Sequence, residues 1–377
     1  MDLIQCISQR KNDILYTYEQ LHKLAEPSWK EENTSRYLQN ILSNAGFNIQ
    51  TFKGHHGFIA DIKGEKQAII ALRADMDALM QEMDGVVKAN HSCGHDAHST
   101  MVLSTALTLA KSGRRLKHTV RFIFQPAEEV AEGALQMMKE DVLQDVKFLA
   151  GIHLRPAMEI PFRTAAPVIQ HGSTVSIKGV IKGKTAHAAR PEEGNNPLEA
   201  ASLLIQAMAQ IRLQDQSRYS IKITELHGGE ASNSIPESAR FTFDVRSENN
   251  VTMDNLIEKA QHVIHSVAQL TETDIIFSLK EYSPAAVTNE QAIEVASKAI
   301  VDILGPENVI PVCKSPGAED FHFYTMKNPN LAATMIGLGC GLQPGLHHPD
   351  MTFDKEALIY GTQILTQLLI HADQKQW

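Results

Sequence analysis

The densest group of side chains that could bind a metal lies at residues 91–98, whose sequence HSCGHDAH holds three histidines, a cysteine and an aspartate. Gly94 allows a tight bend between Cys93 and His95, so both side chains can reach one ion. Thiolate and imidazole are ligands that zinc and neighbouring transition metals accept. A polar turn capped by Asp96 accounts for one histidine but poorly for the whole group. The rival chemistry is a Cys93 nucleophile with a histidine base.

Two acidic groups also stand where chemistry could occur. Residues 73–79 (RADMDAL) place Asp75 after one apolar run, and residues 125–129 (QPAEE) place Glu128 and Glu129 after another. Two adjacent acids need not share a task, because one can bind a metal while the other serves as general base. The alternative for each group is structural, namely capping of a turn or stabilisation of the first turn of a helix.

The elements that must position these groups alternate along both ends of the chain. Apolar runs at 68–72, 119–124 and 148–154 are typical of strands buried on both faces. Helical patterns at 98–110 and 357–371 alternate with strands along the chain, and this alternation predicts a doubly wound, mostly parallel α/β sheet. Ligand sites of such sheets lie beyond the carboxyl ends of the strands.

The candidate groups follow strand ends in this scheme, and we expect them to converge on one rim. The acidic groups come directly after strands, His153 ends a third strand, and His347 follows a glycine-rich loop after a fourth. A lone buried histidine is common in proteins, so the shared position of the groups carries the argument.

The middle of the chain has a different order of elements. Residues 172–282 are expected to form β-α-β-β-α-β, the order of a ferredoxin-like sandwich. We therefore predict an inserted α+β domain at 172–282, within a larger α/β domain made of residues 1–171 and 283–377.

Composition excludes several classes of partner. The chain carries 35 basic and 44 acidic residues, a net charge of −9, which argues against binding to nucleic acid. No apolar stretch reaches the roughly 20 residues of a membrane helix, and no signal peptide is visible. Four cysteines are too few for a disulfide scaffold at this length, which favours a cytoplasmic location.

The order of the motifs resembles the metal-dependent amidohydrolases and peptidases that include aminoacylases, hippurate hydrolases, N-acetyldiaminopimelate deacetylases and plant auxin-conjugate hydrolases. The resemblance covers nearly the whole chain and is closest to bacterial amidohydrolases of that branch. The matching segments are Leu21-His22 with Ser28 and Glu31-Glu32, then 73–79, 93–96, 125–129, His153, 185–189, 233–236, 317–321 and 346–349. Met80 departs from the pattern, since the family usually has proline there.

The resemblance implies a two-metal site and assigns its residues. The ions would be Zn²⁺ or Mn²⁺, with Co²⁺ or Ni²⁺ as alternatives, and their ligands would be Cys93, His95, Glu129, His153 and His347. Glu128 would be the general base, and Asp75 would orient a ligand histidine. In the inserted domain, which the resemblance makes a lid and dimerisation domain, His187 would stabilise the oxyanion from its own or a partner subunit. Asn233 and Arg246 would hold the substrate carboxylate.

The function that follows is hydrolysis of the amide bond of N-acyl amino acids or related conjugates. The alternatives are a dipeptidase or carboxypeptidase of the same family, a non-catalytic sensor of acylated amino acids, and a structural zinc protein. A structural zinc site predicts four closed ligands without a neighbouring base. A sensor needs no general base beside its ligands.

Overall fold

The computed structural model describes residues 2–214 and 216–377, whose contacts divide the chain into two units. The larger unit comprises Met1–Gln170, Val287–Ser315 and Asp320–Trp377, and the smaller unit comprises His171–Ala286 and Pro316–Glu319. The smaller unit is thus largely one insertion into the larger.

The strands and helices of the described residues are numbered here in chain order. The strands are β1 (Asn48–Thr51), β2 (Phe58–Ile62), β3 (Lys66–Asp75), β4 (Leu79–Met83), β5 (Val86–Asn90), β6 (His118–Gln125), β7 (Val146–Pro156), β8 (Ala165–Ala166), β9 (Ile169–His171), β10 (Ser173–Lys182), β11 (Ala186–His187), β12 (Tyr219–Gly228), β13 (Ser234–Ile235), β14 (Ser238–Ser247), β15 (Asp274–Ser283), β16 (Cys313–Ser315) and β17 (Ala332–Leu342). The α-helices are α1 (Leu3–Gln9), α2 (Lys11–Lys23), α3 (Glu32–Asn44), α4 (His95–Ser112), α5 (Gly133–Lys139), α6 (Pro197–Ala209), α7 (Asn250–Thr271), α8 (Glu290–Leu304), α9 (His322–Lys327) and α10 (Glu356–Gln374).

The larger unit is built on a mixed sheet in the order β1-β2-β6-β3-β7-β17-β8. Its four central strands, β6, β3, β7 and β17, are parallel neighbours. On either side of them, β2 pairs antiparallel with β6 and β8 pairs antiparallel with β17, and the edge strand β1 pairs antiparallel with β2. The carboxyl ends of the central strands therefore lie on the same edge of the sheet, where a ligand site is expected.

The central strands are buried along most of their length, which explains their near-continuous apolar sequences. In β3 every residue from Ile69 to Asp75 is buried, and in β7 nearly every residue is. Helix α4 is also buried over most of its circumference, because it packs against β3 and the helices α2 and α10. The N-terminus of this buried helix brings residues 93–96 to the site.

The smaller unit holds a four-stranded antiparallel sheet in the order β12-β14-β10-β15. Helices α6 and α7 pack against it, and the core between them includes Ile177, Leu204, Phe243 and Leu256. The chain order β-α-β-β-α-β with this strand order is that of a ferredoxin-like sandwich.

The predicted fold class is confirmed: a doubly wound, mostly parallel sheet with an inserted ferredoxin-like α+β part. Periodicity did not find the antiparallel β1 and β2 or the hairpin β4–β5. Strands β1, β4 and β5 are short and exposed or half-exposed along much of their length, and β2 has only five residues, of which the first three are buried. The contacts also group 284–286 and 316–319 with the smaller unit. Neither segment forms a helix or strand, so periodicity could not assign them. No helix of the described residues is long and apolar enough to cross a membrane.

Candidate metal centre

The carboxyl edge of the central sheet carries the candidate side chains of the larger unit. Asp75 ends β3, Glu128 and Glu129 follow β6, His153 lies near the end of β7, and His347 follows β17. Residues 93–95 lie at the N-terminus of α4 and reach the same edge of the sheet.

Cys93 and His95 are placed by a sharp bend at Gly94. Gly94 has φ +88° and caps α4, a left-handed conformation that favours glycine. His95 is fully buried and Cys93 nearly so. The bend lets both side chains face one point, as their spacing predicted.

A carboxylate fixes the tautomer of His95. Its Nδ1–H donates to Oδ1 of Asp77 at 3.1 Å, which leaves Nε2 with a free lone pair in the neutral ring. Asp77 itself accepts hydrogen bonds from Ser28 and from the backbone N–H of Glu129. The sequence assigned the orientation of a ligand histidine to Asp75. Asp77 makes the hydrogen bond to His95, while Oδ2 of Asp75 lies 3.9 Å from Nε2 of His95, so the role of Asp75 stays a prediction.

Asp75 makes its own hydrogen bond to His98, a histidine that is not among the predicted ligands. Its Oδ1 accepts from Nδ1 of His98 at 2.8 Å, and Nε2 of His98 accepts from the backbone N–H of Leu154 at 3.0 Å. Both ring nitrogens of His98 are therefore occupied. The buried guanidinium of Arg73 pairs with Asp75 and with Asp320. Asp75 is thus connected through His98 to the backbone N–H of Leu154, the residue that follows His153 in β7.

His153 is held in the tautomer that a metal ligand needs. Its Nδ1–H donates to the backbone carbonyl of Leu154 at 2.6 Å. Its Nε2 then points to Sγ of Cys93, 3.7 Å away. The ring is buried, so its orientation is set before any ligand arrives.

The remaining candidates close the site from the loops after β6 and β17. Nε2 of His95 lies 3.7 Å from Oε2 of Glu128 and 3.8 Å from Oε1 of Glu129. Nε2 of His347 lies 3.5 Å from Oε2 of Glu129. The side chain of His347 is half-exposed, but its backbone is held by Ser92 and Gln81.

The donor atoms form two overlapping groups that share Cys93. Those of Cys93, His95 and His153 lie within 4.8 Å of one another, and so do those of Cys93, Glu129 and His347. Nε2 of His95 and Oε1 of Glu129 are buried and have no hydrogen-bond partner among the described residues. Buried polar atoms are costly when unpaired, and a cation between these donors satisfies both. The residues therefore fit a metal centre.

The electrostatics of the cluster also suit a cation. Burial and the neighbouring Glu129 raise the pKa of the Cys93 thiol well above its usual value. Burial raises the pKa of Glu129 to about 7. Burial lowers the pKa of His95, but the nearby Asp75 and Cys93 outweigh it and raise the pKa above its usual value. A dication reverses this preference for protons, whereas a free Cys93 nucleophile is disfavoured here.

The three candidates of the smaller unit are all exposed. His187 in β11 pairs with Ser234 in β13, and the backbone of Ala188 donates to the carbonyl of Asn233 at 3.0 Å, so His187 and Asn233 are neighbours. The backbone N–H of Ala189 donates to Nδ1 of His187 at 3.0 Å. The proton of the neutral ring therefore sits on Nε2, which can donate.

Arg246 lies elsewhere in that unit. It stands in β14, where its Nε donates to Asp244 at 2.8 Å and its Nη1 to the carbonyl of Pro316 at 3.2 Å. No hydrogen bond among the residues described joins it to His187 or Asn233. The prediction that Asn233 and Arg246 hold one carboxylate stays a prediction.

Sequence reasoning missed Asp77 and His98 as the residues that orient the site. Asp77 alternates with Asp75 in the same motif, and only the backbone path beyond β3 decides which one meets His95. His98 lies one helical turn after His95, a spacing that equally suits a ligand.

Comparison with known proteins gives consistent matches. The family described as Peptidase family M20/M25/M40 matches residues 71–371. N-acetylcysteine deacetylase of Bacillus subtilis is 31% identical, over 93% of this chain and 94% of its own length. Hippurate hydrolase of Campylobacter jejuni is 28% identical, over 86% of this chain and 88% of its own. A solved structure of a dinuclear metal binding peptidase from the M20 family of Bacillus subtilis aligns with TM-score 0.83 and 28% identity, over 98% of this chain and 99% of that one.

Proposed function

This chain belongs to peptidase family M20/M25/M40 and is a hydrolase, and we propose that it cleaves the amide bond of N-acyl amino acids. The observation that carries the proposal is a carboxylate, Glu128, beside a set of buried donors suited to divalent cations. Relatives whose names specify N-acetylcysteine and hippurate as substrates support the substrate class.

We assign the ligands of two divalent cations to Cys93, His95, Glu129, His153 and His347. When bound, the cations, Zn²⁺ or Mn²⁺ in this proposal, lower the pKa of water and polarise the amide carbonyl. The hydrogen bonds from His95 to Asp77 and from His153 to Leu154 present both Nε2 lone pairs without rearrangement.

Glu128 moves the proton in this scheme. Its carboxylate accepts a proton from the attacking water and returns it to the nitrogen that leaves, so the C–N bond breaks to a carboxylic acid and a free amine. Glu128 is nearly buried, which keeps bulk water from competing for the proton. Glu129, its neighbour, is already engaged with His95 and His347.

The smaller unit supplies the substrate contacts in our proposal. Nε2–H of His187 donates to the oxyanion of the tetrahedral intermediate, and its backbone-fixed tautomer supports this role. Asn233 and Arg246 bind the carboxylate of the amino acid. The unit serves as lid and as the contact between two subunits. Four cysteines without disulfides support a reducing, cytoplasmic setting.

A panel of substrates tests the proposal. Metal-stripped protein is mixed with N-acetyl, N-benzoyl and longer-chain N-acyl amino acids, and with dipeptides, each with and without Zn²⁺, Mn²⁺ or Co²⁺. We expect metal-dependent release of free amino acid from the acylated compounds. Cleavage of the dipeptides alone identifies a dipeptidase. Binding of two ions with no release from any substrate identifies a non-catalytic sensor.

A further inference from the structure

Glu31 is a buried carboxylate that the chemistry above does not use. It lies just before α3 and is fully buried. Its Oε1 accepts hydrogen bonds from the backbone N–H groups of Trp29 at 3.0 Å and Ala127 at 2.8 Å. Its Oε2 has no hydrogen-bond partner among the described residues. A buried, half-satisfied carboxylate is a poor stabiliser of a fold, so its position calls for another account.

Both residues that Glu31 holds have left-handed backbone. Trp29 has φ +67° and Ala127 has φ +54°, a conformation that residues with a Cβ rarely adopt. Such conformations persist only when their surroundings enforce them, and they cluster at functional sites. The carboxyl oxygen of Glu31 accepts both N–H groups, so neither is left buried without a partner. Glu31 therefore stabilises an unfavourable backbone turn directly before Glu128.

Two further contacts join the same segment to the same loop. The hydroxyl of Ser28 and the backbone N–H of Glu129 donate to one oxygen of Asp77, at 2.7 and 3.0 Å. The indole N–H of Trp29 donates to Glu132 at 3.3 Å. Residues 28–31 thus contact the loop after β6 directly at Ala127 and Glu132, and at Glu129 through Asp77.

Close packing and a hydrogen bond at Gly133 further restrict the conformation of this loop. Gly133 closes it, and a Cβ on that residue would lie 1.7 Å from the carbonyl oxygen of Pro126. The backbone N–H of Gly133 donates to the carbonyl of Ala127 at 3.0 Å. The N–H of Ala127 faces Glu31 on the other side of the turn, so both backbone groups of Ala127 are held.

We propose that Glu31 is a positioning residue for the general base: by accepting the Ala127 N–H it fixes the peptide that aims the carboxylate of Glu128. The kinetic consequence rests on the proposed function, while the consequence for the loop does not. Displacement of a reacting group by about 1 Å can cost on the order of 100-fold in rate. Among the described contacts Glu31 hydrogen-bonds no candidate ligand, and its hydrogen bond to the loop is the one from Ala127.

The test compares Glu31→Met, which fills the space without an acceptor, with Glu31→Gln, which keeps one. For Glu31→Met we expect kcat to fall about 10- to 100-fold, with KM and bound metal unchanged, because only the base is misplaced. For Glu31→Gln we expect kcat within about threefold of the wild type, because a neutral acceptor still holds the N–H. Hydrogen exchange of the peptide spanning 126–133 should quicken in Glu31→Met and stay slow in Glu31→Gln.

Glu26→Gln is the matched control. Glu26 also binds backbone N–H groups, those of Asn33 and Thr34, but these lie in its own segment and away from the loop. We expect its kcat and its loop exchange to match the wild type. Ala127→Gly is the second variant, because glycine adopts the left-handed turn unaided. In the double variant with Glu31→Met we expect a smaller further loss than Glu31→Met causes alone.

Three results would overturn the inference. A folded Glu31→Met protein with wild-type kcat and slow loop exchange removes the positioning role. Loss of bound metal, or a rise in KM with kcat unchanged, assigns Glu31 to another task. An equal loss in Glu26→Gln makes the effect a general one. If the wild type releases no amino acid from any substrate, the proposed function fails, and the exchange measurement alone decides whether Glu31 holds the loop.

Discussion

The two units of this chain hold their candidate residues in opposite ways. In the larger unit His95 and His153 are buried, and each ring is fixed by a hydrogen bond from Nδ1–H to a carboxylate or a backbone carbonyl. In the smaller unit His187, Asn233 and Arg246 are exposed, and their contacts are with near neighbours. The proposed metal ligands His95 and His153 are therefore held in place within one unit, whereas the proposed substrate contacts are exposed side chains. The buried groups are expected to control metal affinity and proton transfer, and the exposed ones the contacts with the substrate and with its transition state.

Glu128→Gln gives the largest effect we expect and tests the preorganised side directly. Removing the base should lower kcat about 10²- to 10⁴-fold, while both metal ions stay bound because no proposed ligand is changed. Glu129→Gln is the matched variant and should lose metal. Metal content after gel filtration, together with kcat, separates the two. Metal loss in Glu128→Gln would show that Glu128 is a ligand.

His187→Gln tests the exposed side of the comparison. Loss of one oxyanion donor lowers kcat about 10²- to 10³-fold, and the metal content should not change. His227→Gln is the control, since His227 is also an exposed histidine of the smaller unit. If metal binding weakens in His187→Gln, the two units do not divide the work as the comparison proposes.

Mixing two inactive variants locates the donor. When Glu128→Gln and His187→Gln subunits exchange in a dimer, a donor that acts on the partner's site restores about a quarter of the wild-type activity. A donor that acts on its own chain restores none. A single species of monomer mass in sedimentation would refute the dimer itself.

The sequence predicted most of the buried side of this comparison. Strand ends and motif order located Cys93, His95, Glu129 and His153 at one edge of the sheet. It did not identify Asp77 as the residue that hydrogen-bonds His95, since Asp75 and Asp77 stand in one motif and only the backbone path after β3 separates them. It also gave Glu31 no role beyond its place in a motif, because the partner of Glu31 is a backbone N–H 96 residues away. Backbone partners leave no mark in a sequence.

Asp77→Asn and Asp75→Asn distinguish the roles of the two aspartates within the larger unit. Asp77→Asn removes the charged acceptor of His95, and we expect metal affinity to fall about 10- to 100-fold. Asp75→Asn instead disturbs the buried pair with Arg73 and the contact with His98. Breaking such a pair costs about 3 kcal/mol or more in the free energy of unfolding. Titration with Zn²⁺ and urea denaturation distinguish the two, and the reverse pattern would restore Asp75 as the orienting residue.

The smallest expected effect is a difference in the pH dependence of stability between a buried and an exposed carboxylate. Burial and the nearby Asp77 raise the pKa of Glu31 from 4.5 to about 7. A raised pKa means that the folded protein binds a proton which the unfolded chain has released, so stability falls as pH rises from about 4.5 to about 7. The total loss is about 3 kcal/mol, and Glu31→Gln should remove it.

Glu281 in the smaller unit shows the opposite sign, because its hydrogen bond from Lys178 lowers its pKa. Glu281→Gln should therefore remove a contribution that is lost as pH falls, and solvent limits it to under about 1 kcal/mol. Urea denaturation of metal-free protein from about pH 3 to about pH 7 measures both, because the contribution of Glu281 is lost below about pH 4.5. Curves of the same sign for the two variants would mean that burial does not separate the two units in the way the hydrogen bonds indicate.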